Sequence, residues 1–102
     1  MNLPAQVKPG SIVLCTPRYF EEEQYIADQL LQGRVVIVDF KYLDEAIKQR
    51  MVAFLEGALF GIDGKKVSLR ENLIALLPEG ALWEEEKIAF QPKAYEKKVL
   101  QK

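Results

Sequence analysis

The side chains that could carry chemistry in this chain are carboxylates, lysines, arginines and one cysteine, because its 102 residues include no histidine. Without histidine the chain cannot form a Ser-His or Cys-His dyad, and it lacks both the usual zinc ligand and the usual general base near neutral pH. Carboxylate and lysine chemistry remain open to it. We therefore expect a protein that is not an enzyme and that binds no metal or cofactor.

The single cysteine and two acidic runs are weak candidates for covalent chemistry or ion binding. Cys15 closes an apolar stretch, where a buried thiol behaves as a small hydrophobic group, and we predict that it is inert. Residues 21–23 and 84–86 are all glutamate and could hold a cation weakly, but solvated helix ends are the more ordinary interpretation. One cysteine also excludes an internal disulfide and fits a reducing compartment.

A row of polar residues has the spacing of a strand face. Lys66, Ser68 and Arg70 are two residues apart, so they share one side of a regular strand. Such a row is usually a solvated face, but it could also form a basic rim that holds an acidic or carboxylate-bearing peptide. The residues alone leave both interpretations open.

Four strands and two helices are predicted to position these residues. Residues 11–15 and 35–38 are short apolar runs rich in β-branched residues, and the second run is typical of a central parallel strand. A helix is predicted between these two strands. Thr16 and Pro17 indicate its start, and Gly33 indicates its end. The third and fourth strands are predicted over residues 65–69 and 73–77. The buried face of the first helix is predicted to consist of Phe20, Ile26, Ala27, Leu30 and Leu31.

The second helix, over residues 43–62, has two halves of different character. Up to residue 50 its charged and apolar residues separate onto opposite faces, whereas the rest carries one charge, Glu56. The residues predicted to share one apolar face in this second half are Met51, Phe54, Leu55 and Ala58, with Val52, Leu59 and Phe60 outside it. Because its apolar residues extend beyond one face, this helix should be covered on more than one side.

Small residues on the same helix indicate what covers it. Ala53, Gly57 and Gly61 recur every four residues and form a stripe where another backbone could approach closely. Gly57 could instead meet the sheet, and Gly61 could begin the helix exit, but the second apolar side would then stay unexplained. We predict a symmetric homodimer whose interface contains Met51, Phe54, Gly57, Ala58 and Gly61.

The predicted fold is α/β, a small β-α-β-α-β-β domain with two helices packed on a sheet of four or five strands. Right-handed crossovers make the first two strands parallel and place the helices against the sheet. If both helices share one face, the other face stays apolar over the first two strands, and we expect the sheet of another subunit to cover it. Two distinct self-contacts would then build filaments or rings.

Domain limits and charge balance narrow the classes of function. We predict a flexible leader over residues 1–10, a core domain over 11–90 with a candidate edge strand at 87–90, and a charged tail over 91–102. With 14 basic and 15 acidic residues, the chain gives no reason to expect a nucleic-acid partner. No apolar run approaches the ~18 residues that span a bilayer, and no signal peptide is visible, so we expect a cytoplasmic protein.

Short motifs in a fixed order, spread over residues 13–78, resemble those of one known family. They are Pro-Arg-Tyr-Phe at 17–20, Ile-Ala-Asp at 26–28, Gly-Arg-Val-Val at 33–36, Leu-Asp at 43–44 and Arg-Met-Val-Ala-Phe-Leu-Glu-Gly-Ala at 50–58, followed by Gly64 and Pro78. Their order and spacing resemble the SepF (YlmF) cell-division proteins. Asp39, Ala53 and Ile74 depart from the family, which usually has asparagine, aspartate and an aromatic residue there. The abundance of glutamate and lysine suits an archaeal member.

The resemblance implies a non-enzymatic adaptor that self-associates and binds the C-terminal tail of the tubulin-like protein FtsZ, helping to link the division ring to the membrane. The residues that would contact the tail are Phe54, Lys66, Ser68, Arg70 and Ile74. SepF proteins usually begin with a membrane-binding amphipathic helix, which residues 1–10 do not contain, so we expect membrane contact only through a segment not visible in this chain. The alternative is an ACT-type ligand-sensing domain, but it would need a polar pocket at the dimer interface, and no glycine-rich loop supplies one.

Overall fold

The computed structural model describes residues 11–81 and Trp83. The predicted order of elements is confirmed, with strands β1 (Ile12–Cys15), β2 (Val35–Asp39), β3 (Lys65–Arg70) and β4 (Leu73–Leu77), and helices α1 (Glu23–Leu31) and α2 (Glu45–Gly61). The predicted leader, the candidate edge strand at 87–90 and the tail lie outside the described residues, so the predictions about them stay predictions.

The first helix begins later than the sequence predicted. A 3-10 turn at Phe20–Glu22 precedes α1, so the helical structure does not start at Pro17. Tyr19, and not the predicted Thr16, is the N-cap of this turn, and its backbone N–H donates to the carboxylate of Glu22 at 2.8 Å. At the other end, Gly33 has a φ of 83°, the left-handed conformation that glycine adopts freely, and its predicted place at the helix end is confirmed.

The sheet has the strand order β1-β2-β4-β3. β1 and β2 are parallel, as predicted, and β4 inserts antiparallel between β2 and β3. The prediction that β2 is a central strand is therefore confirmed, because β2 has a neighbour on each side. β1 and β3 are the two edges of this described sheet.

Both helices pack on one face of the sheet and enclose the main core with it. The buried residues of this core are Ile26, Ala27, Leu30, Val36, Val38, Phe40, Met51, Leu55, Leu59, Ile74 and Leu76. On α2 the buried row runs Met51, Leu55 and Leu59 at intervals of four, so Leu59 belongs to the core and not outside it as predicted. Asp44 begins this helix as an N-cap, accepting the Ile47 N–H at 2.9 Å.

The predicted buried face of α1 is wrong at its last residue, since Leu31 is 62% exposed. Ile26 and Leu30 lie on the side of the helix that meets the sheet, and Leu31 is about 100° further around the helix than Leu30. Gln29 is buried instead, where its Oε1 accepts a hydrogen bond from the guanidinium of Arg34.

The back face, which is the sheet face opposite the helices, is partly covered by the chain itself. Val35, Ala75 and Leu77 are buried there, and Ala81 and Trp83 pack against them. Another part of this face stays open, because the β1 side chains Ile12 and Leu14 are each 66% exposed. The apolar surface predicted to need a second subunit thus includes the back of β1. Among the described residues, no helix is long and apolar enough to cross a membrane.

Candidate functional site

The basic row on β3 meets one side of α2. Lys66 and Ser68 pair with Leu76 and Ile74 of β4 and therefore point to the helix face of the sheet. There the Lys66 Nζ lies 2.6 Å from the Oε2 of Glu56 on α2. We call the group formed by Glu56, Lys66 and Ser68, with Ile74 beside them in the core, the α2–β3 site.

Arg70 does not continue this row. The register slips between Ser68 and Arg70, because Leu69 is an extra residue on β3, and Arg70 is brought opposite Leu73. Leu73 is on the other face of β4 from Ile74. The prediction that Lys66, Ser68 and Arg70 share one face therefore holds for the first two and is wrong for Arg70, since it assumed a regular strand.

Ile74 is placed in the α2–β3 site but is only 6% exposed. It belongs to the core that the helices cover and is the cross-strand neighbour of Ser68. It can therefore form the floor of a binding groove, while a partner would first meet the polar side chains above it.

Phe54 lies on a different side of α2 from the other predicted partner-binding residues. Residues two apart on a helix differ by about 160° around its axis, so Phe54 points away from the side on which Glu56 meets β3. Arg50, one turn before Phe54, packs its guanidinium 4.2 Å from the centre of the Phe20 ring, beside α1. The five predicted partner-binding residues thus do not form one groove, because Phe54 and Arg70 are separated from Lys66, Ser68 and Ile74.

Two residues of this region were missed by the sequence interpretation. Glu56 was noted only as an isolated charge. Lys48, two turns before it, donates from its Nζ to the carbonyl of Glu71 at 3.1 Å and to Oδ1 of Asn72 at 2.9 Å, which ties α2 to the β3–β4 turn. The spacing of Lys48 and Glu56 puts both on one side of the helix, and that pattern could have identified the side that faces β3.

The small-residue stripe of α2 lies on the solvent side of the helix layer. A Cβ atom added at Gly57 or Gly61 would meet nothing within 4 Å, so the interpretation in which Gly57 packs against the sheet is wrong. Exposed apolar residues flank both glycines, with Phe54 37% exposed and Phe60 86% exposed. We call Ala53, Phe54, Gly57, Phe60 and Gly61 the open face of α2.

Two of the predicted dimer-interface residues do not belong to the open face. Met51 is fully buried in the core beneath α2, and Ala58 is half-buried and packs against the same core. The sequence placed them in the interface because apolar and small residues look alike whether they face the sheet or solvent. Phe54, Gly57 and Gly61 remain available for contact with a second copy.

Cys15 has the surroundings of an unreactive thiol. Burial raises its pKa above the ordinary value of 9.0, the charge of Arg34 acts in the opposite direction, and that of Glu22 adds to the rise. The thiol is therefore protonated at neutral pH. No group of histidine, cysteine and acidic residues suited to a metal ion is found in the part of the chain that the structure describes.

Comparison with known proteins identifies relatives of this chain. A family model described as "Cell division protein SepF" matches residues 12–81. A SepF from Limosilactobacillus reuteri is 37% identical over 70 residues, which cover 69% of this chain and 51% of that protein. A SepF from an Exiguobacterium species is 34% identical over 69 residues, covering 68% and 44%. The chain thus spans about half the length of the curated relatives that it matches.

Solved structures show the same fold. A SepF-like protein from Archaeoglobus fulgidus superposes with a TM-score of 0.70 at 21% identity, covering 78% of this chain and 99% of that one. The SepF of Methanobrevibacter smithii, solved in complex with FtsZ-CTD, superposes with a TM-score of 0.65 at 20% identity, covering 74% and 99%. At these identities the superpositions establish the fold, two helices on one face of a mixed sheet.

Proposed function

The chain belongs to the SepF cell-division family, and on that premise we propose that it is a non-enzymatic adaptor that self-associates and binds the C-terminal tail of FtsZ. The observation that carries the proposal is the fold shared with the Methanobrevibacter smithii SepF, whose structure is a complex with FtsZ-CTD. Family membership also removes the support for an ACT-type ligand-sensing domain.

We propose the α2–β3 site as the place where the tail binds. Lys66 and Ser68 offer a cation and a hydroxyl on the exposed β3, and Ile74 supplies an apolar floor. Glu56 holds Lys66 at 2.6 Å in the free protein, so an incoming carboxylate must compete with it. Phe54 and Arg70 lie outside this site and would contact the tail only if the bound segment extends around α2 or past the bulge.

We propose the open face of α2 as the self-association surface. Its glycines allow a second backbone to come close, and its two phenylalanines supply apolar area that is exposed in one chain. A symmetric contact uses the same patch on both copies, so a single apolar stripe is sufficient. The uncovered back of β1 provides a further apolar surface, and two self-contacts that do not close would build filaments or rings.

The cellular setting follows from the same premise. As a member of a cell-division family the protein would act in the cytoplasm at the division site, and it would help to link the FtsZ ring to the membrane. Membrane contact would require a segment outside the described residues. These proposals concern the whole adaptor, of which the described core is the binding and self-associating part.

Isothermal titration calorimetry with a synthetic FtsZ C-terminal peptide tests the adaptor proposal. The peptide should bind the full chain, and a scrambled peptide of the same composition should not. Lys66→Gln should weaken binding, with Lys65→Gln as its matched control, because Lys65 pairs with Leu77 and faces the back of the sheet. If the wild-type chain binds neither peptide, the adaptor proposal fails. Equal effects of the two lysine changes would place the tail elsewhere.

A further inference from the structure

The two edges of the sheet are protected to different degrees against the addition of another strand. β3 carries Lys65, Lys66 and Arg70 and contains a bulge, and charges and bulges are the features by which edge strands avoid pairing with other chains. β1 has the sequence Ile-Val-Leu-Cys, with no charge, no proline and a regular register against β2. Its edge is therefore open to pairing.

The hydrogen-bonding groups on the outer side of β1 are fixed by its pairing with β2. The Val35 N–H donates to the Ser11 carbonyl at 2.9 Å, which sets the alternation along the parallel pair. It follows that the N–H and C=O groups of Val13 point toward β2, while those of Ile12 and Leu14 point outward. No described strand pairs with this outer edge, because β1 is at the end of the strand order.

The surroundings of this edge leave room for an added strand. A cleft of about 180 Å³ lies between β1 and the start of α1, and residues 13–17 and Tyr25 contribute to its lining. On the back face, the side chains of Ile12 and Leu14 are 66% exposed. An added strand would cover apolar side chains and satisfy backbone groups in one step.

We propose that the outer edge of β1 pairs antiparallel with β1 of a second copy, around a two-fold axis at Val13. In this register Ile12 lies opposite Leu14 of the partner copy, and Leu14 opposite Ile12 of the partner copy. Each copy offers two N–H and two C=O groups from these residues, so the pair closes with four hydrogen bonds. The contact is separate from the open face of α2, which lies on the helix layer.

Charges at the two ends of β1 favour a second copy in this orientation. Glu22 lines the cleft near Thr16 and Pro17, at the carboxyl end of the strand. Arg34 is at the amino end, where its Nε donates to the Ser11 Oγ at 2.9 Å. Antiparallel pairing brings the Glu22 end of each copy beside the Arg34 end of the other, so opposite charges meet twice. The strand itself carries no charge that would repel its own copy across the axis.

Amide hydrogen exchange on the full chain, read residue by residue by NMR, tests the pairing. In dilute protein the Ile12 and Leu14 amides should exchange fast, while those of Val13 and Cys15 stay protected by β2. Raising the concentration through the association range should protect Ile12 and Leu14 by at least about tenfold. Leu14→Pro should still fold, because proline is tolerated where an edge N–H faces out, but it removes that N–H and should abolish this concentration dependence at Ile12. Leu14→Ala keeps the N–H and should retain the dependence.

Charge-swapped variants provide a test that does not depend on proline. One double variant carries Ile12→Lys and Leu14→Lys, and the other carries Ile12→Glu and Leu14→Glu. When either variant pairs with another copy of itself, like charges lie opposite each other. Mixing the two should give one-to-one heterodimers in native mass spectrometry, with protected residue 12 and 14 amides. The proposal is overturned if these amides exchange fast in associated protein, or if they are protected equally in dilute monomer because the chain covers its own edge. Protection that needs an added FtsZ peptide would also overturn it.

Discussion

Lys66 Nζ lies 2.6 Å from Glu56 Oε2, and this ion pair joins the edge strand β3 to the side of α2 that faces it. The two side chains are 33% and 51% exposed, so solvent screens the pair and its contribution to the free energy of unfolding is below about 1 kcal/mol. If the FtsZ tail binds at the α2–β3 site as proposed, Glu56 already occupies the position beside Lys66 that a carboxylate of the peptide would take.

Removing Glu56 should therefore strengthen binding of the FtsZ peptide if a peptide carboxylate uses Lys66. We expect Glu56→Gln to lower the Kd several-fold and Lys66→Gln to raise it by a similar factor, each difference amounting to about 1 kcal/mol. Both effects should shrink at high salt, which calorimetric titration at two ionic strengths would show. Changes of the same sign in the two variants would contradict competition between Glu56 and the peptide.

Gly57 is the position at which self-association through the open face of α2 can be tested. Gly57→Lys places a long charged side chain on that face and should raise the dimer Kd by at least about tenfold. Gly57→Ala is the matched control, because it adds one methyl group without a charge and keeps the face apolar, so it should raise the dimer Kd less than Gly57→Lys does. Sedimentation velocity over a concentration series measures both variants. An unchanged, folded dimer in the lysine variant would exclude this face as the interface.

Gly64 and Gly57 should respond in opposite ways to the same added methyl group. At Gly64 a Cβ atom would lie 2.5 Å from the Leu77 carbonyl oxygen and 2.8 Å from the Leu59 Cδ2, so Gly64→Ala should destabilise the fold by about 1–3 kcal/mol. Gly57→Ala should stabilise it by up to about 1 kcal/mol, because alanine favours an exposed helix position over glycine. Urea unfolding of the two variants gives both signs. Equal stabilities would mean that the backbone at Gly64 can move aside.

Ile74 requires a mild substitution, since it is a core residue as well as the floor of the α2–β3 site. Ile74→Ala should cost about 2–5 kcal/mol of unfolding free energy, and any loss of peptide binding would then be mixed with loss of fold. Ile74→Val should cost about 0.5–1.5 kcal/mol and leave the chain folded. If Ile74 touches the bound tail, the valine variant should weaken binding equally at low and high salt. Calorimetry on samples with unchanged circular dichroism separates the two roles.

Cys15 predicts a specific dependence of stability on pH. Its pKa is raised in the folded chain, so the unfolded thiol ionises first as pH rises, and stability should be complete below pH 9.0 and fall above it. Cys15→Ala removes this contribution, and the difference between wild type and variant isolates it from tyrosine and lysine titration. Urea unfolding from pH 7 to 10 is the measurement. A wild-type stability that rises relative to the variant above pH 9.0 would contradict the assigned direction.

Local patterns in the sequence were sufficient to predict the elements. β2 was assigned as a central strand because four consecutive apolar residues need cover on both faces, and β2 does lie between β1 and β4. Gly33 was predicted to end α1 because glycine adopts the left-handed conformation without steric cost, and Gly33 has that conformation. Such features depend on a few neighbouring residues, and those residues are visible in a single sequence.

Orientation around a helix and irregularity within a strand were not predictable in the same way. Leu59 and Phe60 are adjacent apolar residues, yet one is in the core and the other is 86% exposed, and only the packing of α2 on the sheet decides between them. The bulge that removes Arg70 from the basic row leaves no local signal in the sequence. The structure therefore groups Lys66, Ser68 and Ile74 on one face of the sheet and places Phe54 and Arg70 apart from them, and the role of these residues in binding a partner stays a prediction.

The antiparallel insertion of β4 has a mechanical consequence. β1 begins at the end of the sheet where β4 stops, because Ile12 pairs with Val35 while Leu76 pairs with Val36. The chain therefore enters and leaves the described core at one pole. A force applied between residues 11 and 81 pulls β1 and β4 away from β2, which lies between them, starting at that shared pole, so backbone hydrogen bonds break one after another. If the strands were pulled along their length in opposite directions, all of their hydrogen bonds would bear the load at once. In this core the hydrogen bonds bear it one at a time, so the core should unfold at low force, beginning at that pole.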